Sequence, residues 1–234
     1  MCTLTWLVTP EGHEVFFNRD EQKVRPQAIP PTWDPALKAI YPIDTQGGGT
    51  WITLTQRGEV FCLLNNYQAA KHFSAASPVL SRGSIIPTIL KLDGPIDARA
   101  QALPLTRLAP FLLCYFPAHV QDDRDIQVVS WDGLNLTTQT AVSPITSSGV
   151  MLKEVRRCRQ ESYQRIDGHR QGHLTYHQSH YGHPSVHSVC MHREDANTVS
   201  LSHIVVNAAT MQFDYYAGSP CQNMTPVTSI LSIK

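Results

Sequence analysis

The sequence lacks an excess of charge of either sign. Its 19 basic residues balance 19 acidic ones, which argues against a partner recognised through a global electrostatic field, such as nucleic acid or an anionic membrane. No apolar run approaches the ~20 residues that span a bilayer. The N-terminus has neither a basic region nor an apolar region of the signal-peptide type. We therefore expect a soluble, cytoplasmic protein with no nucleic-acid partner and no membrane span.

The six cysteines include no Cys-x-x-Cys pair, the spacing that is typical of zinc and redox sites. Cys62 and Cys114 lie inside apolar runs and are interpreted as small buried hydrophobic residues. In a reducing compartment all six remain thiols. We therefore expect no metal site built on cysteine and no bound cofactor.

Strand-type segments dominate the chain, and 234 residues are enough for one large domain, residues 1–234. Alternating and β-branched patterns predict strands at Thr3–Val8, His13–Phe17, Trp51–Thr55, Val60–Leu64, Ile126–Trp131, Ala141–Thr146, Val186–His192, Thr198–Val206 and Met211–Ala217. Helical patterning covers 83–118 and Val150–Ile166, and the prolines and glycines of 22–49 predict a long loop. This order predicts an α+β layered fold with largely antiparallel sheets.

Cys2 is the candidate nucleophile, because it follows the initiator methionine and leads directly into a strand. Methionine aminopeptidases remove Met1 when the next residue is small, which would leave Cys2 with both a thiol and a free α-amine. That amine, whose ordinary pKa is about 8, can accept the thiol proton. The alternative is that a cysteine at this position is an accident of sequence.

The first predicted hairpin places charged residues beside Cys2. If it turns near residues 10 and 11, paired residue numbers sum to about 21, which sets Cys2 opposite Arg19. An arginine near the sulfur favours the thiolate, and Asp20 is a candidate to hold the α-amine. The alternative interpretation is an ordinary charged strand end.

The second predicted hairpin brings Gly49 and Thr50 opposite Asn65, beside Asn66. Glycine permits close approach of a ligand, and asparagine amides are suitable oxyanion donors in acyl transfer. Ser147 ends a predicted strand just before a predicted helix, where developing negative charge is favoured. The alternative is that these residues are ordinary turn and cap residues.

Short motifs in a consistent order resemble the NRDE family, which is named for its Asn-Arg-Asp-Glu tetrad and includes the transport-and-Golgi-organisation proteins. They span most of the chain: Met1-Cys2, Asn18–Glu21, Gly48–Trp51, Leu64–Tyr67, Ser81–Gly83, Trp131–Gly133, Ile145–Gly149 and Thr198–Ser200. The family is similar to a branch of the N-terminal-nucleophile (Ntn) hydrolases. The resemblance implies a four-layer αββα sandwich.

More remotely, the chain is similar to the choloylglycine hydrolases, thiol amidases that also begin with Met-Cys-Thr. By this resemblance Cys2 is the nucleophile, Asp20 holds the amine and Asn65 is an oxyanion donor. Ser147 stands where those enzymes carry an asparagine, and Phe17 stands where they carry an arginine. Their later arginine has no clear match, and Arg193 is a guess. The candidate catalytic residues are thus Cys2, Arg19, Asp20, Asn65 and Asn66, and the candidate substrate-binding residues are Asn18, Gly49, Thr50 and Ser147.

Eight of the eleven histidines lie between His169 and His203. His169, His173 and His177 share one face at helical spacing, and such clusters bind zinc, nickel or haem. However, three glycines (Gly168, Gly172 and Gly182) weaken a helix here, and no cysteine or acidic residue is interleaved at ligand spacing. We therefore favour a solvated, irregular, pH-sensitive surface connection over a dedicated metal site.

Two functions follow from the resemblance. The first is an Ntn-type thiol amidohydrolase or acyltransferase that cleaves a non-peptide C–N bond of a small-molecule amide or acyl substrate. The alternative is a protein that binds and traffics haem or acyl-CoA and lipid on a non-catalytic hydrolase scaffold. The second function predicts a large apolar cleft with a cationic or histidine rim.

Overall fold

The structure is a computed structural model that describes residues 2–70, 73, 79–222 and 225–231. In chain order its strands are β1 (Cys2–Thr9), β2 (Gly12–Gln22), β3 (Ile29–Asp34), β4 (Ala39–Ile43), β5 (Ile52–Thr55), β6 (Val60–Asn65), β7 (Phe111–Phe116), β8 (Gln127–Trp131), β9 (Leu136–Thr140), β10 (Ile145–Ser147), β11 (Ala196–Asn207), β12 (Met211–Ala217) and β13 (Val227–Leu231). The α-helices are α1 (Tyr67–Ala70), α2 (Ile85–Ile89), α3 (Ile96–Gln101), α4 (Leu152–Tyr163) and α5 (Arg170–Gln178). Among these described residues, no helix is long and apolar enough to cross a membrane.

The strands form two antiparallel sheets. The first sheet has the order β10-β1-β2-β11-β12-β13, and the second has the order β3-β4-β5-β6-β7-β8-β9. Side chains alternate along each strand between the two faces of its sheet. In β1, Leu4 and Trp6 pack between the sheets, whereas the hydroxyls of Thr3 and Thr5 contact residues of α4 and α5. The first half of β1 therefore has one face towards the second sheet and one towards the helices.

Apolar side chains fill the space between the sheets and cover both outer faces. The central core joins Leu4 and Phe17 of the first sheet to Leu54 of the second. On the far side of the second sheet, α2 and α3 add Ile86 and Ala100 to a separate core. On the far side of the first sheet, residues of β2, β11 and β12 pack with the helical residue Leu174. These four layers confirm the predicted αββα architecture.

Several predicted elements differ from the observed ones. The segment 22–49 is not one long loop, because β3 and β4 pair within it. The apolar positions of 111–116 form β7 rather than a helix, since fully buried strands carry continuous apolar runs that resemble buried helices. The predicted strand Ala141–Thr146 begins only at Ile145, and the predicted strand Val186–His192 contributes only an isolated bridge between His192 and Asn197. Strands β9 and β13 and helix α5 were not predicted from the sequence.

Candidate active site

Cys2 is the first residue of β1, an interior strand of the first sheet that lies between β10 and β2. It pairs with Arg19 of β2, as the predicted register requires, and with Ser147 of β10. Its partly buried side chain packs against the core between the sheets. The thiol therefore lies at the end of the cleft that separates the two sheets.

A pocket of about 460 Å³ opens at this end of the molecule. It brings together six of the candidate residues, namely Cys2, Arg19, Asp20, Gly49, Thr50 and Asn65. Among the described residues that line it, Asn18, Asn66 and Ser147 do not appear. It also contains residues that the sequence analysis did not select, among them Glu21, Arg25, Asp44, Trp51, Tyr67 and Arg82.

Arg19 is held in place by charge and by an aromatic ring. Its Nη2 lies 2.8 Å from Asp44 Oδ2 and 3.2 Å from Glu21 Oε2, and its guanidinium lies 4.1 Å from the Trp51 ring centroid. Arg25 also binds Asp44, at 2.7 Å. Burial alone would raise the pKa of Asp44, but the hydrogen bond from Arg25 and the two arginine charges hold that pKa below its usual value. The acids therefore fix both arginines at the pocket wall.

The Asp20 side chain lies on the opposite face of β2 from Arg19 and is fully buried. Arg159 Nη2 lies 3.3 Å from Asp20 Oδ2, and the Thr198 hydroxyl donates to Asp20 Oδ1 at 2.6 Å. A register shift between Thr198 and Ser200, a β-bulge, sets Thr198 opposite Asp20. Arg159 and Thr198 thus hold the Asp20 carboxylate on the face of β2 opposite Arg19.

Arg159 is a buried residue that the sequence analysis missed. It also donates to the Thr3 hydroxyl, beside the start of β1. Its one sequence signal is its spacing: Arg159 follows Val155 by four residues, so a charge occupies the apolar face of α4. Arg193, the guess made from sequence, instead pairs with Asp195 at 2.7 Å and is not among the described residues of the pocket wall.

Burial and local charges act in opposite directions on the Cys2 thiol. Burial raises its pKa, and the nearby Asp20 charge acts in the same direction. A hydrogen bond from the Asp20 backbone N–H and the positive charge of Arg19 act against this increase. The net result is a pKa above the usual thiol value. The free α-amine that Cys2 has once Met1 is removed would therefore have to take the thiol proton during attack.

Asn65 is positioned by two neighbours. Its Nδ2 donates to the Tyr67 hydroxyl at 2.8 Å, and its backbone oxygen accepts from Ser147 Oγ at 2.5 Å. Ser147 therefore links the strand beside Cys2 to the residue across the cleft. Burial raises the pKa of Tyr67, so its hydroxyl stays protonated in the pocket.

Gly49 lies against a backbone segment around Gly83. A Cβ atom at Gly49 would lie 2.3 Å from the carbonyl carbon and oxygen of Gly83, and the Thr50 N–H donates to that same oxygen at 3.1 Å. Glycine is therefore required where the two segments cross. The crossing sets Arg82, next to Gly83, into the pocket wall.

Asn18 and Asn66 point away from the pocket. Asn18 Nδ2 donates to the backbone oxygens of His177 at 2.8 Å and Val189 at 3.0 Å, which ties β2 to α5. Asn66 Nδ2 donates to Trp131 O at 3.3 Å. Both amides hold chain segments together in this structure.

The first part of the histidine-rich segment is not the solvated, irregular connection that we predicted, whereas residues 179–191 are irregular, as predicted. Residues 170–178 form α5, and His173 and His177 are buried against the first sheet. Both rings contact the Thr5 hydroxyl at 2.9 Å and stack on Phe16. The glycines do not prevent the helix, because packing of its buried face outweighs their low helix propensity.

The sequence from residue 1 to 212 matches the family described as Transport and Golgi organisation 2. No curated protein matches the sequence at a significant level. Among solved structures, a mutant of the conjugated bile acid hydrolase from Clostridium perfringens, in which the cysteine at position 2 is replaced by alanine, is similar in fold. The TM-score is 0.57 at 11% identity, over 99% of this chain and 92% of that chain. This likeness extends over both sheets and the helical layers.

Proposed function

The chain belongs to the Transport and Golgi organisation 2 family, and on that premise we propose that it is an Ntn-type thiol amidohydrolase or acyltransferase with Cys2 as its nucleophile. Its substrate would be a small molecule with a non-peptide C–N bond. The observation that supports this most is the position of Cys2: at the first residue of β1, in one pocket with Arg19, Asn65 and Arg82. The fold likeness to a bile acid hydrolase agrees with it.

In the proposed reaction, removal of Met1 gives Cys2 a free α-amine, which takes the thiol proton as sulfur attacks the carbonyl carbon. The C–N bond then breaks, and the leaving nitrogen takes that proton from the α-ammonium group. Water attacks the resulting thioester while the α-amine accepts a proton from it. The C–S bond then breaks, the sulfur takes that proton back from the α-ammonium group, and the carboxylic acid leaves. An amine in place of water would complete an acyl transfer.

The surrounding residues have separate proposed roles. Asn65 Nδ2 donates to the negative oxygen of the tetrahedral intermediate, which requires that it exchange its present partner, the Tyr67 hydroxyl. Asp20, anchored by Arg159 and Thr198, holds the α-ammonium group. Arg19 stabilises the thiolate. Asn66 is left out of the oxyanion site, because its amide is engaged by Trp131 O.

Arg82 is the basis for a proposed substrate feature. Its Nη1 donates to Pro110 O at 3.1 Å, and among the described residues it has no acidic partner, whereas Arg19 and Arg25 are paired with acids. Burial lowers the pKa of Arg82, which indicates a desolvated cation that an anion would stabilise. We propose that the substrate carries a carboxylate that binds Arg82.

Intact mass and turnover test the proposal together. We expect a purified chain that begins at Cys2 and that hydrolyses members of a panel of N-acyl amino acids and activated esters. Cys2→Ala should lower kcat by more than about 10³-fold, whereas Cys158→Ser, which changes a buried thiol of α4, should leave it unchanged. A retained Met1, or equal activity of Cys2→Ala and the unchanged protein, would contradict the proposal.

One observation favours the alternative, a non-catalytic protein that binds haem or acyl-CoA and lipid. Burial raises the pKa of the Cys2 thiol, so the neutral, poorly nucleophilic form is favoured. Against this, the pocket is rimmed by charged side chains rather than by an extended apolar surface. A saturable Soret shift with haem, or retention of acyl-CoA, in a protein without turnover would select the alternative.

A further inference from the structure

Four potential metal ligands meet at a place that the proposed reaction does not use. They are His180, Cys190, His192 and Cys221, and we refer to them as the four-ligand cluster. Each offers one ligand atom, and the four atoms all lie within 4.8 Å of one another. Cys190 is buried, and the other three are partly buried.

The measured spacings match tetrahedral coordination. His192 Nε2 lies 3.7 Å from Cys190 Sγ and 3.3 Å from Cys221 Sγ. Zinc bonds of about 2.3 Å to sulfur and about 2.0 Å to nitrogen, at a tetrahedral angle, separate S from N by about 3.5 Å. The two distances lie on either side of that value, so these three atoms need little movement to share one ion.

An independent observation also points to a ligand. Within the described residues, His180 Nε2 is buried without a hydrogen-bond partner, which is costly for a ring nitrogen unless something binds it. The His180 ring lies 5.2 Å from the His192 ring, centroid to centroid. A metal ion between the two rings would satisfy this nitrogen.

The fold brings the ligands together from three separate segments. His180 lies two residues beyond the end of α5, and the Cys190 N–H donates to Ser179 O at 3.0 Å, which closes the loop between them. His192 forms the bridge to Asn197, and Cys221 lies in the turn after β12. The expectation of no cysteine-based metal site came from chain spacing, which does not reveal this meeting point.

We propose that the four-ligand cluster binds one zinc ion as a closed, structural site. Two thiolates and two neutral imidazoles fill the four positions of tetrahedral zinc and leave none for water or substrate. Binding would release the protons of the two thiols, so affinity would increase with pH.

The ion would stabilise the loop that supports Asp20. Met191, between the two ligands Cys190 and His192, exchanges hydrogen bonds with Thr198: its N–H donates to Thr198 Oγ1 at 2.7 Å, and its oxygen accepts from the Thr198 N–H at 2.9 Å. Thr198 in turn donates to Asp20. Zinc would therefore fix the segment that holds the carboxylate beneath Cys2.

Metal content and cobalt spectroscopy test the site directly, without any assay of turnover. Tag-free protein, purified under reducing conditions and supplied with zinc chloride, should retain about one equivalent of zinc per chain after desalting. Cobalt chloride should give the intense visible bands of a tetrahedral site and a near-ultraviolet sulfur-to-cobalt charge-transfer band. Cys190→Ser and His192→Asn should each lose the bound zinc and weaken these bands.

Matched controls separate the site from general effects. Cys158→Ser and His183→Asn change residues outside the cluster and should retain zinc and the cobalt spectrum. Because a ligand variant can fail to fold, zinc should also be removed from the unchanged protein with a chelator, and its return should raise Tm by roughly 5 °C or more.

Three results would overturn the proposal. The first is zinc content far below one equivalent with no tetrahedral cobalt spectrum. The second is equal zinc retention by the ligand variants and the controls. The third is an intact mass that shows a Cys190–Cys221 disulfide under reducing purification. Since none of these readouts requires turnover, failure of the zinc site and failure of the proposed reaction are distinguishable.

Discussion

At the residue scale, the pocket depends on side chains that never reach it. The Arg159 guanidinium is fully buried and supports Asp20 from the helical layer, on the far side of the strand from the Cys2 thiol. A buried ion pair with both partners present is often nearly neutral for stability, but loss of one partner leaves an uncompensated buried charge. Arg159 therefore links the stability of the protein to the geometry of the proposed site.

We expect Arg159→Met to lower the free energy of unfolding by about 3–5 kcal/mol, because Asp20 would lose its buried cation. Urea denaturation followed by circular dichroism measures this. The control is Arg157→Met on the same helix, which removes an exposed pair with Glu161 and should change stability by less than about 0.5 kcal/mol. Equal effects of the two substitutions would show that the Asp20 pair is not important for stability.

At the element scale, α5 shows how packing overrides local propensity. Its sequence carries Gly172 and several histidines, and on propensity alone it is a poor helix. It forms because His173 and His177 pack on Phe16 and bind the Thr5 hydroxyl. The i, i+4 spacing of these histidines was visible in the sequence, but the sheet that buries them was not.

Gly172 also allows the chain to turn tightly into α5. A Cβ atom there would lie 2.4 Å from the backbone oxygen of Asp167 and 2.1 Å from its Oδ1. We expect Gly172→Ala to lower Tm, although alanine has the higher helix propensity. Gly168→Ala is the control and should leave Tm nearly unchanged, because a methyl group at Gly168 would meet no described atom within 4 Å. A higher Tm for Gly172→Ala, measured by differential scanning calorimetry, would contradict this account.

At the scale of the whole molecule, buried neutral histidines join the layers. His13 stacks on Phe116 of the second sheet, with ring centroids 5.9 Å apart, and His173 and His177 join α5 to the first sheet. Burial lowers the pKa of His13 and of His173 to about 4, and it lowers the pKa of His177 well below the usual value. All three rings are therefore neutral in the folded protein near neutral pH.

These shifts predict loss of stability in mild acid. Below about pH 6.5, these histidines bind protons in the unfolded chain but stay neutral in the folded protein. The free energy of unfolding should therefore fall as pH falls from about 6.5 to about 4, by about 1.4 kcal/mol per pH unit for each ring. Urea denaturation at a series of pH values measures this slope.

Single variants assign the slope to particular rings. His13→Phe keeps an aromatic ring against Phe116 and should reduce the slope by about one third, because it removes one of the three titrating groups. His169→Asn changes an exposed residue before α5 and should reproduce the slope of the unchanged protein. A free energy of unfolding that stays constant between about pH 7 and pH 4.5 would contradict the prediction.

Local sequence signals were sufficient for part of the site. The hairpin of β1 and β2 has a short turn, and its side-chain alternation fixes the register, so the pairing of Cys2 with Arg19 was predictable. The register of the second hairpin brought Gly49 and Asn65 together, and both line one pocket. The motifs that resemble the NRDE family led to the αββα fold. Buried strands were harder to predict, because the continuous apolar sequence of β7 has no periodicity that distinguishes a strand from a helix.

The sequence by itself determined the start of a strand at Cys2 and the charges beside it, because alternation and turn position are local properties. Its motifs implied the αββα layering through their resemblance to a known family. Only the tertiary structure decided which distant residues meet. It set Arg159 under Asp20 and gathered His180, Cys190, His192 and Cys221 within 4.8 Å. The physical reason is that long-range burial brings together segments whose separation along the chain carries no repeating pattern.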